Sequence, residues 1–133
     1  MVKINKAALI RAAARARKRA VAPYSKFLVG AALLTRRGEI VTGANVESAS
    51  YGLTCCAERV ALFKALTEGK KDVVAVAVVT RVEGGALPCG ACRQLLAEYA
   101  PDAQVFVADS RALKRVREFS ISGLLPSAFV KLS

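Results

Sequence analysis

The sequence contains no histidine, which removes Ser-His-Asp and Cys-His catalysis and every imidazole metal ligand from consideration. Acid–base chemistry must then run on carboxylates, thiolates, Tyr, Lys or a metal-activated water. No apolar run approaches the roughly 20 residues that cross a bilayer. The basic, Ala-rich start is not followed by the continuous apolar stretch of a secretory signal, so a soluble cytoplasmic protein is expected. Acidic residues are scarce, with ten Asp and Glu against 21 Lys and Arg, for a net charge of +11. Nine glycines, four prolines and a hydrophobic fraction of 54% argue for a compact fold and against disorder. A chain of 133 residues is long enough for one domain and too short for two ordinary cores, so one domain over 1–133 is expected.

A surplus of positive charge is a footprint of nucleic-acid binding. Its distribution weakens that reading. Arg11, Arg15, Arg17, Lys18 and Arg19 crowd one segment, and Lys114, Arg115 and Arg117 form a smaller group. Both read as solvated faces, with nonspecific polyanion contact as the alternative. The four cysteines, in a chain without a secretory signal, are expected as reduced thiols.

Ala-rich composition and helical spacing predict an amphipathic helix over 5–22, capped by Asn5 and ended by Pro23. Strands over 27–35 and 39–44 are joined by the turn Arg36-Arg37-Gly38. A helix over 57–68 stops at Gly69. Residues 73–79, an unbroken run of Val and Ala, predict a strand buried on both faces. A short helix over 90–99, a buried strand over 104–108 and an edge strand over 114–118 follow. Ser120 then caps a last helical turn before Pro126. Strands alternating with helices predict a mixed sheet covered by helices on both faces.

Two segments carry the chemistry: Thr54-Cys55-Cys56-Ala57-Glu58-Arg59 and Pro88-Cys89-Gly90-Ala91-Cys92-Arg93-Gln94. Each places cysteine at the start of a predicted helix, where the dipole favours thiolate over thiol. Cys89 and Cys92 form a Cys-x-x-Cys pair, which alone fits a redox dithiol or half of a structural zinc site better than a catalytic one. Cys56 supplies a third sulfur. Three protein ligands with one open position describe a catalytic zinc site, whereas Cys55 as a fourth ligand would describe a structural one. Adjacent cysteines chelate one ion only with strain, so Cys55 reads as a spare thiol. Glu58 lies two residues after Cys56, and a carboxylate beside a metal but not bound to it can carry a proton from water to a substrate nitrogen.

Cys56-Ala57-Glu58 followed by Pro88-Cys89-Gly90-Ala91-Cys92 resembles the cytidine deaminase superfamily, whose zinc signature includes a three-cysteine variant and a non-ligand Glu. The three-sulfur version resembles the small homotetrameric members. Tyr24-Ser25-Lys26-Phe27-Leu28-Val29-Gly30-Ala31-Ala32 is similar to the family's first-strand motif. Asn45-Val46-Glu47 resembles its ribose-binding motif, and Leu124-Leu125-Pro126-Ser127-Ala128-Phe129 its C-terminal tail. The likeness runs from about Tyr24 to Phe129. Two departures are visible. Leu28 stands where the family usually has Pro, and Cys55 places an oxidation-prone thiol beside the metal site.

The resemblance implies a three-layer α/β/α sandwich with a mixed five-stranded sheet. It implies one Zn²⁺ per chain on Cys56, Cys89 and Cys92, and hydrolytic deamination of cytidine and deoxycytidine in pyrimidine salvage. Glu58 would protonate ring nitrogen N3 and then the departing amino group. Phe27 would pack on the pyrimidine, Asn45 and Glu47 would hold the ribose hydroxyls, and the Ala57 N–H would meet the base carbonyl. Ala49, Tyr51 and Phe129 would complete a neighbouring subunit's pocket in a homotetramer. Three thiolates leave Zn²⁺ with one net negative charge, which Arg59 would offset by donating to a ligand sulfur, with Arg93 a weaker choice for that task. The implied partner is a free nucleoside, not nucleic acid and not a membrane. Rival readings are a nucleic-acid base deaminase, an aminonucleoside-antibiotic deaminase and a zinc-stabilised binding module without turnover. Glu58 discriminates against the last, because a structural zinc site has no need of a carboxylate there.

Overall fold

The computed structural model describes residues 2–130. Five strands form one sheet in the order β2-β1-β3-β4-β5. They span Val29–Thr35 (β1), Ile40–Ala44 (β2), Val73–Thr80 (β3), Gln104–Asp109 (β4) and Arg117–Ser120 (β5). β1 runs antiparallel to both β2 and β3, β3 and β4 are parallel, and β5 closes the edge antiparallel to β4. The helices are α1 (Lys6–Arg17), α2 (Ala57–Thr67), α3 (Gly90–Tyr99) and the single turn α4 (Ile121–Leu124). Alternate residues of the central strands face opposite ways. Leu33, Val76, Val78, Val105 and Val107 pack with α2 and α3 on one face. Ala32, Leu34, Ala77, Val79 and Phe106 pack with Leu9, Ile10 and Ala13 of α1 on the other. The expected three layers are present, and β3 is the doubly buried strand its composition predicts.

The boundaries shift where tertiary pairing overrides local propensity. The helix expected over 5–22 is capped by Asn5, whose Oδ1 accepts from Ala8 N at 3.0 Å, but it ends at Arg17. Val21 instead bridges to the chain after β2, donating to Asn45 O at 2.9 Å and accepting from Glu47 N at 2.8 Å. The first strand begins at Val29 rather than 27 because Lys26 adopts a left-handed conformation, φ 62°, and turns the chain there. The edge strand lies at 117–120, not 114–118. Turns consume residues 110–115, with Ala112 N bonded to Asp109 O and Arg115 N to Ala112 O. Gly69, φ 73°, follows α2 as expected, and Ser120 Oγ caps α4 by accepting from Gly123 N at 3.0 Å.

This topology creates the site. β2 and β3 point the same way, and Gly30 of β1 pairs with Ala44 on one side and Val79 on the other. Their C-terminal ends are therefore level. The chain enters α2 beyond one end and α3 beyond the other, so both helix N-termini meet at one rim of the sheet. Gly43 allows α2 its close seat, since a Cβ there would come within 2.5 Å of Ala61 N and 2.8 Å of Ala57 O.

Candidate active site and metal centre

Cys56 and Cys89 are the N-cap residues of α2 and α3, both with extended backbone, and Cys92 sits in the first turn of α3. The three sulfurs all lie within 4.8 Å of one another. Cys56 Sγ is 3.7 Å from Cys89 Sγ, and Cys89 Sγ is 3.5 Å from Cys92 Sγ. These separations are too long for disulfides, whose S–S bonds are about 2.05 Å. They match the edge of a tetrahedron with Zn–S bonds of about 2.3 Å, which is about 3.8 Å. The donor set thus fits zinc, with two sulfurs at helix N-termini whose partial positive charge favours thiolate. Cys55 is not part of the cluster. Its backbone pairs with Val46, and burial raises its thiol pKa.

The three thiols share protons unequally. A hydrogen bond from Cys92, helped by Arg59 and Cys89, brings the Cys56 thiol down to about 5. The same bond to Cys56, together with burial, raises Cys92. Cys56 is the first thiolate, and a divalent cation would take all three in that form. Arg59 Nη2 sits 3.6 Å from Cys56 Sγ and 3.2 Å from Thr54 O, while its Nε is buried without a partner. Arg93 is turned elsewhere. Its Nε donates to Pro88 O at 2.7 Å and its Nη1 to Leu124 O at 2.9 Å, so it braces the loop before Cys89 and not a sulfur.

A cavity of about 260 Å³ opens onto the cluster, lined by Phe27, Asn45, Glu47, Cys56, Glu58 and Cys89 together with Ala57, Thr54, Val78 and Leu87. Glu58 is only 5% exposed, and burial pushes its carboxyl up to about 7. Ala57 opens α2, where backbone N–H groups have no partner within the helix. Asn45 is buried, with Oδ1 accepting from Val29 N and Nδ2 donating to Phe27 O, both at 2.8 Å. One amide hydrogen remains for a ligand. Glu47 accepts from Tyr24 N at 3.0 Å, from Ser25 N at 3.1 Å and from the Ser25 hydroxyl. The Ser25 hydroxyl is the main cause that holds its carboxyl below the usual range. Ser25 Oγ also accepts from Phe27 N at 3.0 Å, which ties the aromatic wall to the acidic one.

Residues 3–108 match the family profile described as the cytidine and deoxycytidylate deaminase zinc-binding region. The chain belongs to this deaminase family. The deaminase is 52% identical over 122 residues to the cytidine deaminase of Halalkalibacterium halodurans, covering 91% of each chain. A crystal structure of cytidine deaminase from Burkholderia pseudomallei superimposes with a TM-score of 0.90 at 48% identity, covering 95% of this chain and all of that one. A blasticidin-S deaminase of Bacillus cereus is 30% identical over 115 residues, covering 80% of each chain.

Ten of the candidate residues of the deaminase cluster at this rim: Cys56, Cys89, Glu58, Phe27, Asn45, Glu47 and Ala57 line the cavity, with Cys92, Arg59 and Arg93 behind them. Ala49, Tyr51 and Phe129 do not line the cavity of their own chain. Ala49 is exposed, and Tyr51 and Phe129 are 81% and 65% exposed. Sequence reasoning did not single out Thr54, Val78 or Leu87 as lining residues, nor Ser25 as the partner of Glu47. Ser25 lay within the first-strand motif, but nothing in its spacing to Glu47 signals a contact across 22 residues. Among the described residues no helix of the deaminase is long and apolar enough to cross a membrane.

Proposed function

We propose that the protein is a zinc-dependent cytidine deaminase that converts cytidine and deoxycytidine to uridine and deoxyuridine with release of ammonia. It does so as a homotetramer in cytoplasmic pyrimidine salvage, with residues 1–133 as one catalytic domain. The observation that carries the reading is a convergence: three sulfurs lie at zinc spacing, and two of them, Cys56 and Cys89, line with the buried carboxyl of Glu58 a cavity walled by Phe27, Asn45 and Glu47.

Cys56, Cys89 and Cys92 would hold the metal, and zinc there supplies the Lewis acidity that makes a water nucleophilic near neutral pH. Glu58 moves the protons. It takes one from the attacking water and delivers it to N3 as the C4–O bond forms. It then carries the second to the amino group, so that the C4–N bond breaks and ammonia leaves. Water and cytidine are fully accounted for in uridine and ammonia. Phe27 packs on the pyrimidine face, and the Ala57 N–H donates to the base carbonyl. Asn45 donates its free amide hydrogen to a ribose hydroxyl, and Glu47 accepts from the other. Arg59 neutralises part of the charge on Cys56. The exposed Tyr51 and Phe129, with Leu53, two residues after Tyr51 and 74% exposed, support a second copy covering this rim. In that assembly Ala49, Tyr51 and Phe129 complete a neighbour's pocket.

The test is ultraviolet-monitored turnover of cytidine, deoxycytidine, CMP, blasticidin S and a short oligonucleotide, with zinc measured on the same sample. Conversion of the two nucleosides alone is expected, with one zinc per chain. Glu58→Ala is expected to keep its zinc and lose activity by about 100- to 10,000-fold. Full activity in that variant would overturn the proton-transfer role, and turnover of blasticidin S alone would replace the substrate.

A further inference from the structure

The basic helix α1 and the β4–β5 connection meet on the face of the sheet opposite α2 and α3. Ten of the 21 Lys and Arg residues precede Glu39, the first acidic residue of the chain. Of these, Arg11, Arg15, Arg17 and Lys18 line a groove of about 410 Å³ between α1 and the β4–β5 connection, whose side is formed by Ser110 and Leu113. Arg11, Arg15 and Lys18 are exposed, as are Lys114 and Arg115 on the connection. Among the described residues, the salt bridges are Lys6–Glu118, Lys70–Glu68 and Arg111–Asp109. None of the four groove cations takes part. Arg17 spends one donor on Leu28 O at 3.1 Å, which keeps its guanidinium at the groove. The fold therefore gathers like charges without a built-in counterion, a repulsive arrangement that a bound anion relieves.

We infer that this groove binds the phosphate backbone of nucleic acid, as a partner held apart from the catalytic pocket and not as its substrate. Arg11, Arg15 and Lys18 recur at helical spacing, about 6 Å and 4.5 Å apart along the axis, so they present a row of cations to a chain of regularly repeated anions. Arg offers phosphate a planar two-pronged contact that a point charge does not. A membrane fits poorly, because Leu9, Ile10, Ala13 and Ala16 of α1 are buried against the sheet, leaving no apolar face to enter lipid. No aromatic lines the groove, so bases find no stacking platform. The contact is sequence-independent and electrostatic.

The experiment is fluorescence anisotropy of short mixed-sequence RNA and duplex DNA with the purified full chain at a series of salt concentrations. Four displaced counterions predict an affinity loss of about 50-fold for single strands and about 150-fold for duplex between about 50 and 200 mM salt. The triple variant Arg11→Glu, Arg15→Glu, Lys18→Glu is compared with Arg36→Glu, Arg37→Glu, Lys71→Glu, which makes the same charge change at exposed positions around the β1–β2 turn. Support requires the groove variant to lose more than ten times the affinity that the control loses. Equal losses would reduce the effect to net charge and overturn the inference. So would the absence of saturable binding at the lowest salt, or binding to anionic phospholipid vesicles without binding to either nucleic acid. Cytidine turnover is expected to be unchanged in both variants, so failure here and failure of the proposed activity are distinguishable.

Discussion

Arg93 Nη1 donates to Leu124 O at 2.9 Å while its Nε donates to Pro88 O at 2.7 Å. One planar guanidinium thus spans the loop that leads into Cys89 and the segment that leads to Phe129. Gln94 adds a second tie, its Nε2 donating to Phe129 O at 2.6 Å. Both side chains directly follow Cys92 on α3, so the helix that presents a proposed zinc ligand also fastens the segment from Leu124 to Phe129.

Arg93→Ala leaves two carbonyls without their donor, and hydrogen bonds to a charged group contribute about 1.5–3 kcal/mol. Faster proteolytic cleavage within 121–130 and a lower kcat/KM for cytidine are expected. Lys at this position reaches one carbonyl at a time and should recover only part of the protection. Limited proteolysis read by mass spectrometry, alongside steady-state kinetics, decides it; an unchanged cleavage pattern would count against the tie.

Cys55 and Cys56 are neighbours with different fates. Cys56 belongs to the three-sulfur cluster, whereas Cys55 takes part in the backbone bridge to Val46. Cys55→Ser is expected to keep one zinc per chain and near-normal turnover, and Cys56→Ser to lose both. Metal analysis after dialysis against a mild chelator separates them. Zinc loss in Cys55→Ser would place that thiol among the ligands.

Glu47 ionises below the usual carboxylate range because the Ser25 hydroxyl, then the Ser25 and Tyr24 amides, bond its charged form. A depressed folded-state pKa stabilises the fold above the unfolded value, and that contribution fades as pH falls through the folded one. Ser25→Ala should therefore be less stable than the parent at neutral pH. The gap should narrow through that acid window, down to the part owed to the Phe27 amide bond. Urea unfolding of both proteins across the acid range measures it, and a gap independent of pH would remove Ser25 as the cause.

Gly43→Ala places a methyl against the Ala61 N and Ala57 O atoms of α2. These are backbone atoms, so relief requires the helix to move. Overpacking of this kind costs about 1–3 kcal/mol, and here the displaced helix carries Cys56 and Glu58. A lower Tm together with weaker zinc retention is expected. Lower stability with unaltered zinc affinity would show that the N-terminus of α2 keeps its place by other contacts.

Much of this was legible in the linear chain because it rests on local chemistry. The all-apolar run 73–79 reads as a doubly buried strand and forms one, Asn5 and Ser120 cap the helices that follow them, and cysteines at two helix starts carry their chemistry in residue type and spacing. Legibility failed where a distant segment competes for the same backbone. Helix propensity continues past Arg17, yet Val21 is drawn into pairing with the chain after β2. Turns around Asp109 likewise displace the last strand.

The order and chemistry of the zinc signature, the absence of histidine and the excess of positive charge belong to the sequence itself. Spacing along the chain cannot say that Cys56 meets Cys89 across 33 residues. That meeting follows from level β2 and β3 ends, a consequence of strand order and register. Nor can it say that Ser25 grips Glu47, that Arg93 braces Pro88 and Leu124 instead of a sulfur, or that the cations of α1 line one groove with the β4–β5 connection. These depend on which faces the sheet buries, and burial is decided only when the whole chain has packed.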